Sequence, residues 1–231
     1  MDLYDAWTAA KKTLKPQVQG DCGVYSFWYA TVLLRQLGKA GHPVTYPRAC
    51  HQKWYQRGTT IRKAAKGVGS AQGELLSVAE VTAVVEGFKY TATVCPNDEA
   101  ARAGFITASL KANRPVMFAY ICGNSGPVTV ATATGTEGKD YGPHWSLLID
   151  ENSFQYSYLN PHDPNTPVTR AKQQVLDSNA EVDRVKYVRY WKKPKSHGLE
   201  MHGNTPPTAG KFYDIGGPER QTLNNVLIAV S

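Results

Sequence analysis

Cysteine is scarce in this sequence, and none of it is arranged for metal binding or cross-linking. Cys22, Cys50, Cys95 and Cys122 form no CxxC pair and no dense cluster. That spacing argues against a disulfide framework and a zinc knuckle and points to a reducing compartment. Cys50-His51 lacks two further ligands at metal-site spacing, so no metal is expected. No apolar run approaches the length of a transmembrane helix, and no membrane partner is expected. The first residues, Met1-Asp2-Leu3-Tyr4-Asp5, are acidic and lack the apolar core of an export signal. The expected location is a cytoplasm, the cell's own or that of a host receiving an effector. The sequence shows no internal repeat and no second core. Acidic residues are few: 19 against 26 Lys and Arg, a net charge of +7. Such a balance suits an acidic partner. The cations are dispersed and no nucleic-acid motif accompanies them, so an acidic protein or peptide ranks above nucleic acid.

Apolar residues make up 42% of the 231 residues, enough for a sizeable core. The most informative stretch is Gln17-Val18-Gln19-Gly20-Asp21-Cys22-Gly23. A Gly-flanked turn holds a cysteine. Val24, Phe27, Trp28, Thr31, Leu34 and Arg35 follow at helical spacing, which predicts a helix ending near Gly38. Cys22 then sits in the first turn, where unpaired N–H groups and the helix dipole favour an anion. Such a setting lowers a thiol pKa from about 8.5 to between roughly 3.5 and 7.5. A glutamine just upstream, Gln17 or Gln19, can donate its amide to an oxyanion. A buried structural cysteine is the alternative.

The remaining chain reads as helices first and strands later. Ala6 to Leu14 is a short amphipathic piece, and residues 48–70 are polar, basic and irregular. Ser77 and Glu80 make an S-x-x-E capping box before Val78, Val81, Val84 and Val85. Phe88 to Val94 is a predicted strand. Asn97 is the predicted N-cap of a helix closed by Asn113. Strands are predicted over Val116 to Ile121, Val128 to Thr134, His144 to Asp150 and Phe154 to Leu159, the last two as a hairpin. Asn160 to Pro164 is a turn-rich exit, Ala171 to Asp177 a short helix, and Val185 to Trp191 a strand. Residues 192–221 are rich in Gly, Pro and Lys and form an expected irregular excursion. Leu223 to Val230 is a final strand. This order predicts an α+β fold in a single catalytic domain, with a mainly helical lobe over residues 1–113 and a mainly β lobe over 114–231.

Nucleophilic cysteine chemistry needs a base and a group that orients it. His144 opens one strand of the hairpin and Asn160 ends the returning one, so the turn brings them side by side. Asp163 is the competing orienter. The indole of Trp145 is placed to shield the pair from water. The other five histidines fall mostly in loops and lack this setting.

With Gln17 before Cys22-Gly23, then Ser26-Phe27-Trp28, His144-Trp145 and Asn160, the sequence resembles the papain-like cysteine peptidases. The His144 to Asn160 spacing is similar to that of bacterial leader-peptide peptidases, whose third residue is usually Asp. Within the clan, Gln17, Cys22-Gly23, Trp28, Ala71-Gln72-Gly73-Glu74, Ser77-Val78-Ala79 and His144-Trp145 resemble the actin maturation protease family. The resemblance implies a papain-like fold, a Cys22–His144–Asn160 triad and no cofactor. It implies Gln17 as the oxyanion donor, with Gln19 as the alternative. Its implied substrate is the acidic N-terminus of a protein such as actin. Glu74 is then a wall of the substrate cleft or a structural contact before the following helix. Protein glutamine deamidation or transglutamination uses the same triad and is the competing activity. A binding module with a dead site is a third reading, weakened because every catalytic position is filled.

Overall fold

The computed structural model of the chain describes residues 1–17, 22–39, 44, 60–68, 75–96, 98–124, 126–137, 140–185, 188–190, 212–214 and 222–231. Helix α1 spans Leu3–Ala10. Asp2 caps it reciprocally: its carboxylate accepts from Asp5 N at 2.8 Å, and Asp2 N donates to the Asp5 carboxylate at 3.3 Å. Leu3, Ala6, Trp7 and Ala10 recur three and four apart and are buried. A 3₁₀ turn over Lys11–Thr13 then delivers buried Leu14.

Helix α2, Cys22–Gln36, is buried almost all round from Cys22 to Leu34. A helix apolar on every side belongs in the middle of a core. It stops where the sequence predicts. Gly38 has φ +70°, Gly38 N donates to Arg35 O at 3.0 Å and Lys39 N to Leu34 O at 2.9 Å. This pair of bonds satisfies the last carbonyls and needs a left-handed residue. Helix α3, Thr60–Gly67, lies in a segment read from the sequence as irregular. Its buried residues Ile61 and Ala65, four apart among cations, are too few for a clear periodic signal.

Helix α4, Val78–Gly87, starts on Ser77, whose Oγ accepts from Glu80 N at 3.2 Å. The Glu80 carboxylate takes Leu76 N at 2.6 Å. Helix α5, Glu99–Lys111, is capped by Asp98, which accepts from Ala100 N at 3.0 Å. Asn97, the expected cap, lies outside the described residues, as do Cys50-His51 and all of the 192–221 excursion except 212–214. Asn113, at φ +54°, ends α5 as Gly38 ends α2, with Arg114 N bonded to Ser109 O at 2.9 Å.

The strands form an open antiparallel sheet, so the fold is α+β. In chain order they are β1 (Ala92–Val94), β2 (Val116–Gly123), β3 (Gly126–Pro127), β4 (Gly142–Glu151), β5 (Gln155–Asn160) and β6 (Asp163–Ala171). Helix α6 (Lys172–Ala180) comes next. A separate two-stranded ladder pairs β7 (Val188–Tyr190) with β8 (Phe212–Asp214), and β9 is Leu227–Val230. The main sheet runs β1-β9-β2-β4-β5-β6, with β3 folded back on β2. Val116 to Ile121 are fully buried, because elements cover both faces of β2. That explains a continuous apolar run in place of alternation.

Four strand expectations are corrected, the first being the final strand, which begins at Leu227 and not at Leu223 because the chain turns through Asn225 at φ +58°. Residues 128–134 form no strand: only Gly126–Pro127 pairs with β2, and Thr132 N and Ala133 N turn back to Thr129 O. The segment from Phe88 becomes a strand only at Ala92, since Phe88 caps α4 and Lys89 is left-handed at φ +63°. The turn after Asn160 leads at once into β6. Pro164 and Pro167 hid this strand, and both are tolerated because β6 is an edge.

β9 covers β2 only along Val116 to Phe118. Beyond it, side chains of α6 replace the missing strand. Asn179 Nδ2 donates to Ala119 O at 2.7 Å and to Val226 O at 3.1 Å. Ser178 Oγ accepts from Ile121 N at 3.0 Å and donates to Ile121 O at 3.1 Å. Arg102 of α5, itself buried, donates to Leu176 O at 2.8 Å and Asn179 Oδ1 at 3.3 Å. The far half of β2, which carries Tyr120, is thereby fixed in place.

Candidate active site

The β4–β5 hairpin is closed by Asn152, whose Oδ1 accepts from Phe154 N and Gln155 N, both at 2.9 Å. At its open end His144 Nε2 meets Asn160 Oδ1 at 3.1 Å. Asn160 is thus the residue the hairpin brings to the imidazole. Asp163 begins β6, is exposed, and its carboxylate accepts from Asn165 N at 3.2 Å.

The amide orientation follows from the neighbours. The backbone N–H of His162 points at the same Asn160 atom from 3.0 Å. A backbone N–H only donates, so that atom is the carbonyl oxygen. An oxygen that only accepts then requires His144 Nε2 to carry the proton. In the neutral ring this leaves the lone pair on Nδ1, the nitrogen that can act as a base.

His144 is 5% exposed. Burial pushes its pKa down to about 3, the neighbouring His162 adds to the fall, and the bond to Asn160 opposes it. The ring is therefore neutral at pH 7. Tyr120 of β2 stands edge-on to it, with centroids 5.6 Å apart and planes at 82°. The Tyr120 hydroxyl pairs with Ser146 Oγ at 3.2 Å, and burial raises its pKa well above the usual phenol range.

Trp145, the next residue along β4, points to the opposite face, so its indole does not shield the His144–Asn160 pair or line a cleft beside it as the sequence led one to expect. It is fully buried, and its indole donates to Leu75 O at 2.7 Å. Leu75 has φ +48°, an uncommon conformation for a branched side chain. Thr222 N donates to Leu76 O at 3.1 Å, so the segment before α4 is tied from both sides. Glu74, just ahead of it, and Gln19 lie outside the described residues.

Cys22 is the first residue of α2, carries a reduced thiol and is 1% exposed. Its helix packs against β4, the strand of His144. The segment leading into α2 is laced to the turn after Asn160. Gln17 N donates to Pro161 O at 2.6 Å. Tyr29 of α2 places its hydroxyl 2.7 Å from Lys15 O and 3.4 Å from Pro161 O. Gln17, Cys22, His144 and Asn160 thus come from elements held directly to one another. No cluster of metal-ligating side chains occurs among the described residues.

Sequence reasoning passed over His162. Its ring stacks on His144, with centroids 4.7 Å apart and planes at 23°. The signal lay in the register. β4 and β5 pair Leu147 with Leu159, and continuing that register sets His162 opposite His144. No protein-family model matches the chain, and no curated protein or solved structure matches it. Among the described residues, no helix is long and apolar enough to cross a membrane.

Proposed function

We propose that the protein is a papain-like cysteine peptidase with Cys22 as nucleophile. The observation that carries this is the locked His144 Nε2 to Asn160 Oδ1 bond on the strand against which the Cys22 helix packs. The Cys22 thiol gives its proton to His144 Nδ1. The thiolate attacks the carbonyl carbon of a peptide bond, and the developing oxyanion is held by the Gln17 amide and the Cys22 N–H. His144 returns its proton to the leaving amine as the C–N bond breaks, leaving a thioester on Cys22. Water then attacks the thioester, His144 takes one of its protons, and the acid leaves as that proton returns to sulfur. Asn160 keeps the imidazole in the tautomer this cycle needs. The net charge of +7 and the resemblance to actin maturation proteases support an acidic N-terminal segment, such as that of actin, as the substrate.

The test is incubation of a proteome with wild type and with Cys22→Ala, followed by identification of new protein N-termini. New termini only with wild type are expected. A one-dalton gain at glutamine without chain cleavage overturns the peptidase in favour of a deamidase. No covalent change in any protein overturns the enzyme.

A further inference from the structure

His162 lies where nothing in the proposed cycle demands a histidine. Its backbone is fixed, since its N–H donates to Asn160 Oδ1 at 3.0 Å. Its ring covers one face of His144 at 4.7 Å, while Tyr120 meets that ring edge-on. His144 is thus in contact with two aromatic groups and tethered at Nε2. The stacked His162 ring is partly shielded by His144, while the rest of the residue reaches the surface.

We propose that His162 is a positioning residue for His144, holding the imidazole in its Asn160-bonded orientation and, once protonated, opposing the positive charge His144 must acquire. This rests on the peptidase reading above. Catalysis passes through a His144 imidazolium. A second cation stacked on that ring makes the imidazolium costlier. Burial lowers the His162 pKa, so it is uncharged near pH 7 and charges only on the acid side. Ionisable groups on the elements packed here include Cys22 at the head of α2, Tyr120 and Cys122 on β2, Asp150 and Glu151 at the far end of β4, Tyr158 on β5, Asp163 at the start of β6 and Lys15 ahead of Gln17. Tyr120 stays protonated throughout this range. Asp163 and Lys15 are exposed, and among the described residues only His162 stacks on the ring of His144.

The experiment titrates the His144 ring by NMR in wild type, His162→Phe and His162→Ala, and records pH–rate profiles beside it. In His162→Phe the stack persists without the charge. Its His144 midpoint is expected about one pH unit higher, and activity is expected to extend to lower pH. In His162→Ala the stack is lost, which is expected to lower kcat by up to about tenfold with KM unchanged. Identical His144 midpoints in wild type and both variants overturn the proposal, whether or not a substrate is known. Absence of turnover in wild type with a shifted midpoint in His162→Phe instead overturns the peptidase and leaves the coupling standing.

Discussion

His162 N–H donates to Asn160 Oδ1 at 3.0 Å, and that bond gives the site its direction. It orients the Asn160 carbonyl toward His144 Nε2. It thereby leaves Nδ1 as the basic nitrogen of a ring that burial keeps neutral. A backbone amide, which cannot be protonated away, thus orients the Asn160 side chain two residues before it and, through that side chain, sets the tautomer of His144 one strand across.

The two polar residues of this arrangement differ in what they supply. His144→Ala removes the base, and kcat is expected to fall by about 10²–10⁴-fold. Asn160→Ala leaves the base but frees its rotation, so a smaller loss than for His144→Ala is expected. Steady-state kinetics on a cleaved peptide checks the order. Asp163→Ala more damaging than Asn160→Ala contradicts it.

Acid should destabilise the fold well above the carboxylate range. His144 binds its proton near pH 3 when folded and near 6.5 when unfolded. The unfolded chain therefore binds more protons between those values. The contribution is fully present above pH 6.5 and is lost as pH falls toward 3, at up to about 1.4 kcal/mol per pH unit. His162, also lowered by burial, acts in the same direction. Urea midpoints at pH 7 and pH 5 should differ more for wild type than for His144→Gln.

The buried polar node beneath β2 gives a prediction about stability. Asn179→Ala removes the donors to Ala119 O and Val226 O and the acceptor for Arg102. Each buried group left without a partner costs about 1–3 kcal/mol, so a loss of at least that size is expected in chemical denaturation. Ser157→Ala, which removes an exposed 3.4 Å contact between Oγ and Thr169, should leave the midpoint nearly unchanged.

Thiol chemistry separates the cysteines. Burial pushes the Cys122 thiol up to about 11 and raises that of Cys95. Both should resist iodoacetamide at neutral pH. Cys22, at a helix N-terminus, is expected to react first, and more slowly in His144→Ala. Mass spectrometry of peptides at short times reads the three rates; labelling of Cys95 or Cys122 ahead of Cys22 contradicts the assignment.

The sequence carried the geometry of the candidate site in local signals. Helix α2 was legible because a Gly-flanked turn precedes an apolar run and Gly38 supplies the left-handed stop. The His144–Asn160 pair was legible because strand period and hairpin length together decide who faces whom. What stayed hidden depends on partners far along the chain. Trp7 Nε1 donates to Pro164 O at 3.0 Å, and no local pattern announces that bond. β6 was hidden by its prolines, which rule out a central strand and leave an edge open. His162 was hidden by Pro161, which marks a turn and draws the reading away from the register.

The last prediction concerns substrate charge. The excess of cations is spread along the chain, and two of them flank α2: Lys15 is exposed just before it, and Lys63 is exposed on α3, which packs against it. Arg48, Lys53 and Arg57 lie outside the described residues. Exposed cations add little affinity singly, but together they raise encounter rates with an acidic segment, and salt screens that gain over a Debye length of about 8–10 Å. Two peptides are compared that differ only in carrying acidic or neutral residues after the scissile bond. The acidic peptide is expected to show the higher kcat/KM at low salt, with the advantage shrinking at high salt. Replacing Lys15 and Lys63 together by Gln should narrow the low-salt gap while kcat stays unchanged, because neither side chain takes part in the proposed chemistry. Equal turnover of both peptides at both salts removes the acidic substrate and leaves a peptidase indifferent to charge.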